Sequence, residues 1–174
     1  MKKLKLALAY FLLPAAGIAI SFESYAVSCG DTITSQETLT QDLVCATNPA
    51  LTITGPLGGL DMDGFTVTCS ASTDDGILLN GLSASLTSGV IDNCNNSIML
   101  QDDGSHYVTS VDIDDPDGVG VLISSDSNFV TGIQIQSDGV TSRNGIETED
   151  PANYNQIIGN TIDSTGGDGI YLEG

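Results

Sequence analysis

The repeating unit of this chain is a short run, Gly76-Ile77-Leu78-Leu79, that recurs four times further along the sequence. The later copies are Ser97-Ile98-Met99-Leu100, Gly120-Val121-Leu122-Ile123, Gly145-Ile146-Glu147-Thr148 and Gly169-Ile170-Tyr171-Leu172. The first apolar position of each copy follows the preceding one after 21, 23, 25 and 24 residues. Apolar residues at every second position are typical of a β-strand, so each copy predicts one strand per period.

A second series with nearly the same period is interleaved with the first. Its members are Leu86-Thr-Ser-Gly-Val-Ile91, Val108-Thr-Ser-Val-Asp-Ile113, Val130-Thr-Gly-Ile-Gln-Ile135 and Ile157-Ile-Gly-Asn-Thr-Ile162. A leucine-rich repeat has a similar length but needs a leucine ladder with a fixed Asn or Cys, which this sequence does not have. Two or three strands per period, separated by Gly, Asn and Asp turns, predict a β-solenoid. We therefore expect an all-β, parallel β-helix of about five to six coils.

The chain resembles the right-handed parallel β-helix family, the broad group of pectate-lyase-like proteins. The resemblance runs from about Cys29 to Gly174 and is carried by the Gly-Ile-x-Leu runs, by Ile158-Gly159-Asn160-Thr161-Ile162, and by Leu60-Asp61-Met62-Asp63-Gly64-Phe65-Thr66-Val67. It implies the fold but no single activity, because this fold carries lyases, hydrolases, epimerases and adhesins.

The enzyme motifs of that family are incomplete in this sequence. Its lyases use an arginine or lysine base beside Ca²⁺, and here Arg143 is the one such residue after position 26. The hydrolases carry Gly-His-Gly, whereas His106 lies in Ser105-His106-Tyr107. The epimerases carry Asp-Pro-His-Glu, from which Asp115-Pro116-Asp117-Gly118 departs. We therefore favour a chain without catalytic activity.

The first 26 residues have the order of a secretory signal peptide. Three lysines precede an apolar stretch of 15 residues, Leu6–Ile20, and Ser24-Tyr25-Ala26 predicts cleavage after Ala26. The signal peptide predicts a secreted, extracellular or periplasmic location. No later segment reaches the length of a membrane span, so we expect no span in the mature chain. We assign residues 27–70 to an N-terminal cap and first coil, and 71–174 to the β-helix repeats.

The mature chain is strongly acidic. It keeps one arginine and 22 acidic residues, for a net charge near −21. A nucleic-acid-binding protein needs a Lys/Arg footprint, so that class is excluded, as is docking on anionic lipid through a basic patch. Hydrophobic residues make up 40% of the sequence, which is enough for a packed core.

Four cysteines remain after the signal peptide, and an even number in an exported chain favours disulfides. Cys69 and Cys94 are 25 residues apart, about one period, which would place them side by side in neighbouring coils. Of the three possible pairings we favour Cys29–Cys45 with Cys69–Cys94.

Two groups of acidic residues are candidate sites. Near the C-terminus, outward positions of neighbouring strands predict a substrate-binding patch of Glu147, Glu149, Tyr171 and Glu173, where paired carboxylates suit acid–base work or Ca²⁺. A dense acidic loop offers Asp112, Asp114, Asp115 and Asp117 for Ca²⁺, although their spacing does not fit an EF-hand. In both groups solvated surface charge is the simpler interpretation.

The turn before the second series predicts a ladder of asparagines. His106 aligns with Asn128, and the counterpart in the next coil is Asn155 or Asn153. Amides in register at a turn can pair between coils, and His106 is then a structural turn residue.

Three functions fit the sequence. The first is a secreted structural or carbohydrate-binding β-helix, whose partner is a polysaccharide or cell-surface glycan. The second is a fragment of a polysaccharide-active lyase or hydrolase, and the third is an adhesin or surface passenger domain. No polar cap follows the last predicted strand, so we expect a truncated product or the start of a longer protein.

Overall fold

The computed structural model describes residues 26–138, 143–163 and 165–173. The predicted signal peptide therefore lies outside the described residues, except for Ala26. The described residues form short strands and turns, with no helix. In chain order the strands are β1 Thr32–Ile33, β2 Gln36–Thr38, β3 Leu43–Cys45, β4 Leu51–Thr54, β5 Gly59–Asp61, β6 Thr66–Cys69, β7 Ile77–Asn80, β8 Ser85–Asp92, β9 Ile98–Leu100, β10 Tyr107–Asp114, β11 Val121–Ile123, β12 Phe129–Thr131, β13 Gln134–Gln136, β14 Ile146–Thr148, β15 Gln156–Ile158, β16 Thr161–Asp163 and β17 Ile170–Leu172.

The strands stack in parallel as a β-solenoid of about six turns, which confirms the predicted fold class. One sheet, here called face A, has the order β1-β4-β7-β9-β11-β14-β17, so the chain returns to it once in every coil. A second sheet is bent and provides two further faces. Face B consists of β2, β5, the first half of β8, the first half of β10, β12 and β15. Face C consists of β3, β6, the second halves of β8 and β10, β13 and β16.

From β8 onward, the corner between faces B and C is a single residue in the left-handed region. Ser88 bends β8 with φ 61°, Ser110 bends β10 with φ 56°, and glycines take the same place later with φ 62° at Gly132 and 66° at Gly159. The pairing of Thr87 with Thr109, and of Val90 with Asp112, continues on both sides of the bend. The corner therefore turns the chain without shifting the register.

The register of the coils is the predicted one. In face A, Ile77 pairs with Ile98, Ile98 with Val121, Val121 with Ile146, and Ile146 with Ile170. In faces B and C the columns are Leu86, Val108, Val130, Ile157 and Ile91, Ile113, Ile135, Ile162. These apolar residues point inward and form one continuous core, which no single coil could bury alone.

Both favoured cysteine pairs are at disulfide distance. The Cα atoms of Cys29 and Cys45 are 5.3 Å apart, and those of Cys69 and Cys94 are 5.1 Å apart. The first pair lies in the opening coils, and the second joins the end of β6 to the turn after β8. Two such pairs favour an oxidising environment.

The last described coil leaves its inner residues uncovered. Ile170 is 47% exposed, whereas Ile146, its partner one coil earlier, is 0% exposed. A cavity of about 460 Å³ opens beside it, lined in part by Leu172 and Tyr154. The inner column therefore stays accessible at this end of the described solenoid.

Candidate functional site

The outward row of face A is the one that the sequence predicted. It runs Leu78, Met99, Leu122, Glu147 and Tyr171 in consecutive strands. Glu147 pairs with Tyr171 in the strand register and accepts a hydrogen bond of 2.9 Å from the Asn144 side chain. The structure thus places Glu147 and Tyr171 together, and Asn144 fixes the Glu147 carboxylate.

The other two predicted glutamates lie in the next outward row. The Ser124 hydroxyl donates a hydrogen bond to the Glu149 carboxylate. The backbone N–H of Glu173 donates to the Thr148 carbonyl at 3.1 Å, which places Glu173 one coil beyond Glu149. The four residues therefore share the outer side of face A, but the only one that lines the neighbouring cavity of about 460 Å³ is Glu173.

Face C carries a more polar outer surface. In one outward row Asp112 is followed by Gln134 and Thr161, and in the next row Asp92 is followed by Asp114, Gln136 and Asp163. These side chains point outward because the alternate positions, Ile113, Ile135 and Ile162, point inward. Six of the outward residues line a cleft of about 280 Å³: Asp112, Asp114, Gln134, Gln136, Thr161 and Asp163.

Asp114 is the electrostatically distinct carboxyl group of this cleft. Partial burial raises its pKa above the usual 3.8, and the negative charges of Asp92, Asp112 and Asp115 raise it further. Asp92 lies directly beside it, one coil earlier. Two carboxylates one coil spacing apart, about 4.8 Å, disfavour each other's ionised form. Asp114 therefore gains from a hydrogen-bond donor or cation placed in the cleft.

The four predicted Ca²⁺ ligands are divided between two clefts. Asp112 and Asp114 lie in the cleft on face C, whereas Asp115 and Asp117 line a neighbouring cleft of about 250 Å³ with Asn93. In the described part of the chain, no three His, Cys, Asp or Glu residues are grouped so that they could hold a metal ion. Calcium binding by these residues stays a prediction.

The predicted ladder is present, and its third member is Asn155. The backbone N–H of Ala84 donates to Nδ1 of His106 at 3.2 Å, that of His106 donates to Oδ1 of Asn128 at 2.9 Å, and that of Asn128 donates to Oδ1 of Asn155 at 2.8 Å. The Asn128 side chain also donates to Asn155 Oδ1 at 2.9 Å. We call His106, Asn128 and Asn155 the amide ladder. Each side chain accepts the N–H of the coil before it.

His106 occupies an asparagine's place in this ladder as a neutral imidazole. Since Nδ1 accepts a hydrogen bond, Nε2 carries the proton and donates to the Gln101 carbonyl at 2.8 Å. Burial lowers the pKa of His106, and this effect outweighs the opposing influence of Asp102 and Asp103. Both ring nitrogens are occupied, so His106 is structural, as predicted.

An aromatic pair on face B was missed by the sequence analysis. The rings of Tyr107 and Phe129 stack in neighbouring coils with centroids 5.1 Å apart and planes 6° from parallel. The alignment of Ser105-His106-Tyr107-Val108 with Ser127-Asn128-Phe129-Val130 contained the signal. It was used there for the ladder alone, although it also places the two aromatic residues in register.

The fold and its surfaces define a parallel β-solenoid with an apolar interior and polar outer rows. Comparison of the chain with protein families, with curated proteins and with solved structures finds no match. No helix that could cross a membrane occurs among the described residues.

Proposed function

We propose that this chain is a secreted β-solenoid of the pectate-lyase-like type that binds a polysaccharide through its polar outer faces and does not cleave it. The observation that carries the proposal is the cleft on face C, in which carboxylate, amide and hydroxyl groups repeat at the coil spacing. Secretion is supported by the order of the first 26 residues and by the two cysteine pairs.

The chemistry of the cleft suits the hydroxyl groups of a sugar. Ionised Asp112 and Asp114 only accept hydrogen bonds, whereas Gln134 and Gln136 both donate and accept them. A sugar hydroxyl can donate to a carboxylate and accept from an amide at the same time. Donation to Asp114 would also offset the burial and the repulsion that raise its pKa.

The charge of the chain limits the class of polysaccharide. With a mature net charge near −21, the surface repels a polyanion such as a polyuronate at low salt. A neutral polysaccharide avoids this repulsion, so we expect the ligand to be neutral. Glu147 and Tyr171 on face A offer a second contact surface for a long chain.

Retention in native gels that contain a soluble polysaccharide tests this function. We expect a neutral glucan, xylan or mannan to slow the protein, and polygalacturonate to have no effect without added cation. The variant Asp114→Asn keeps the shape of the cleft but removes one carboxylate, so we expect it to weaken retention. Asp103→Asn, which makes the same change at an exposed acid outside both clefts of face C, serves as the matched control. Equal migration of the wild type with and without every polysaccharide would refute the proposal.

A second candidate, a polysaccharide-cleaving enzyme, is favoured by one observation. The raised pKa of Asp114 beside Asp92 resembles a carboxyl pair that holds a proton for acid catalysis. Incubation of the wild type and Asp114→Asn with the same polysaccharides, followed by a reducing-end assay, separates the two functions. Release of reducing ends by the wild type but not by the variant would establish the enzyme.

A further inference from the structure

The stacked rings on face B leave one aromatic face open. The Tyr107 and Phe129 rings are nearly parallel and one coil apart, so their planes are roughly perpendicular to the solenoid axis. Each ring therefore faces the residues at the same position in the coils before and after it. Phe129 is followed in the column by Gln156, and Tyr107 is preceded by Ser85. Serine is too short to cover a phenol ring, and Tyr107 is 45% exposed.

The side chains below Tyr107 are short or folded against the backbone, and we call the space that they leave the slot. Gly59 precedes Ser85 in the column and has no side chain. The Ser85 hydroxyl and the Gln36 side-chain amide both occupy the space that a Cβ of Gly59 would take. The Ser85 hydroxyl therefore leans towards Gly59 and away from Tyr107, and the Gln36 amide lies across the level of Gly59.

The slot has the thickness of one six-membered ring. Two coil spacings of about 4.8 Å separate the level of Tyr107 from that of Gly59. A ring that stacks about 4.5 to 5 Å from Tyr107 takes the intermediate level, that of Ser85. Such a ring continues the aromatic column at its own period, and its inner edge approaches the Ser85 hydroxyl and the Gln36 amide.

The polar groups around the slot select the kind of ring. The Gln36 Nε2 atom donates to the Leu57 carbonyl at 3.3 Å, which leaves Oε1 as an acceptor. The adjacent outward row is formed by Asp61, Thr87 and Thr109. A pyranose has an apolar C–H face for Tyr107 and hydroxyls at its edge for these groups, whereas a uronate would bring a second negative charge towards Asp61.

We propose that the open face of Tyr107 is a binding site for one neutral pyranose ring, which stacks on the phenol and occupies the level of Ser85. The inference rests on the proposed glycan-binding function and adds a site on face B that is separate from the cleft on face C.

Isothermal titration calorimetry with cellopentaose, xylopentaose, mannopentaose and pentagalacturonate tests the site on the full mature chain. We expect at least one neutral pentasaccharide to bind the wild type. Tyr107→Ala should weaken that affinity about two- to twelvefold, which is the range of one aromatic stacking contact. Tyr107→Phe should keep the affinity, because stacking does not need the hydroxyl.

Ser85→Tyr provides a variant that keeps the fold while it closes the slot. The new ring would stack on Tyr107 as Tyr107 stacks on Phe129, so we expect an unchanged or higher melting temperature together with loss of binding at this site. Asp114→Asn changes the cleft on face C and leaves Tyr107 intact, so it distinguishes binding at the cleft from binding at the Tyr107 site. If the wild type binds a neutral pentasaccharide and both Tyr107→Ala and Ser85→Tyr bind it equally well, the Tyr107 site is refuted while the glycan-binding function stands. If the wild type binds none of the pentasaccharides, both are refuted.

Discussion

Lowering the pH should weaken the amide ladder and reduce the stability of the fold, because one ladder residue, His106, can take up a proton. In the folded chain Nδ1 of His106 accepts the buried N–H of Ala84, so a second proton on the ring would remove that acceptor. Burial holds the pKa of His106 below the usual 6.5, whereas the unfolded chain protonates near that value. The unfolded state therefore binds the proton more readily than the folded state.

The sign of the pH effect follows from this difference. The contribution of neutral His106 to stability is complete above about pH 6.5 and decreases as the pH falls below it, until the lowered pKa of the folded state is reached. His106→Asn removes the titration but keeps an acceptor for Ala84, as Asn128 does for His106. It loses the bond to the Gln101 carbonyl, at a cost of about 1 kcal/mol at pH 7.5.

Urea unfolding followed by circular dichroism between pH 7.5 and 4.5 measures the effect. We expect the free energy of unfolding of the wild type to exceed that of His106→Asn at pH 7.5, and the difference to shrink as the pH falls through 6.5. Carboxyl groups titrate in both proteins, so their contribution cancels in the difference. His106→Ala leaves the Ala84 N–H without an acceptor and should cost about 1 to 3 kcal/mol. A constant difference between the wild type and His106→Asn at every pH would refute the reasoning.

Four further predictions concern the faces and the core. Asp114→Asn should raise the melting temperature at pH 7, because the ionised carboxyl is disfavoured in the folded chain, and the gain should vanish once acid protonates the wild-type group; an equal gain at pH 3 would contradict this. Asn128→Ala removes the acceptor of the buried His106 N–H and should cost about 1 to 3 kcal/mol by urea unfolding, against little change for the exposed Asn153→Ala. Ile98→Ala, in the closed core, should cost about 2 to 5 kcal/mol, and Ile170→Ala in the same column clearly less, because it is already half-exposed. Salt screening should raise the melting temperature in NaCl. CaCl₂ at matched ionic strength should raise it further if Asp112, Asp114, Asp115 and Asp117 bind Ca²⁺, and identical curves would exclude a specific calcium site.

The inner columns of the solenoid could be predicted in register from the sequence. Apolar residues alternate within each run, and the runs recur after 21 to 25 residues, so stacking Ile77 on Ile98 and Val121 is the arrangement that buries all of them. A shift by one residue would turn every inner side chain outward. The ladder was predictable for a related reason, since His106, Asn128 and Asn155 lie two residues before the inner residues Val108, Val130 and Ile157.

The candidate sites depend on contacts between coils that the alternation does not specify. Asp112 and Asp114 were identified in the sequence, but their cleft also needs Gln134, Gln136 and Asp163 from two later coils. The step from Gln136 to Asp163 is 27 residues, against 22 from Asp114 to Gln136, so the spacing of the earlier coils does not predict this contact. An outward side chain gains little from any one register, because water satisfies it equally well elsewhere.

The sequence by itself determined which side of each strand is buried, because hydrophobic burial acts on every second residue and needs no knowledge of the neighbouring coil. Only the tertiary structure decided what the outer surfaces can do. Burial raises the pKa of Asp114, and Asp92 one coil away raises it further. The open face of Tyr107 requires a short side chain at Ser85 and no side chain at Gly59. In both cases the residues are more than twenty positions apart in the sequence. The coil spacing, rather than any local pattern, makes them neighbours on one face.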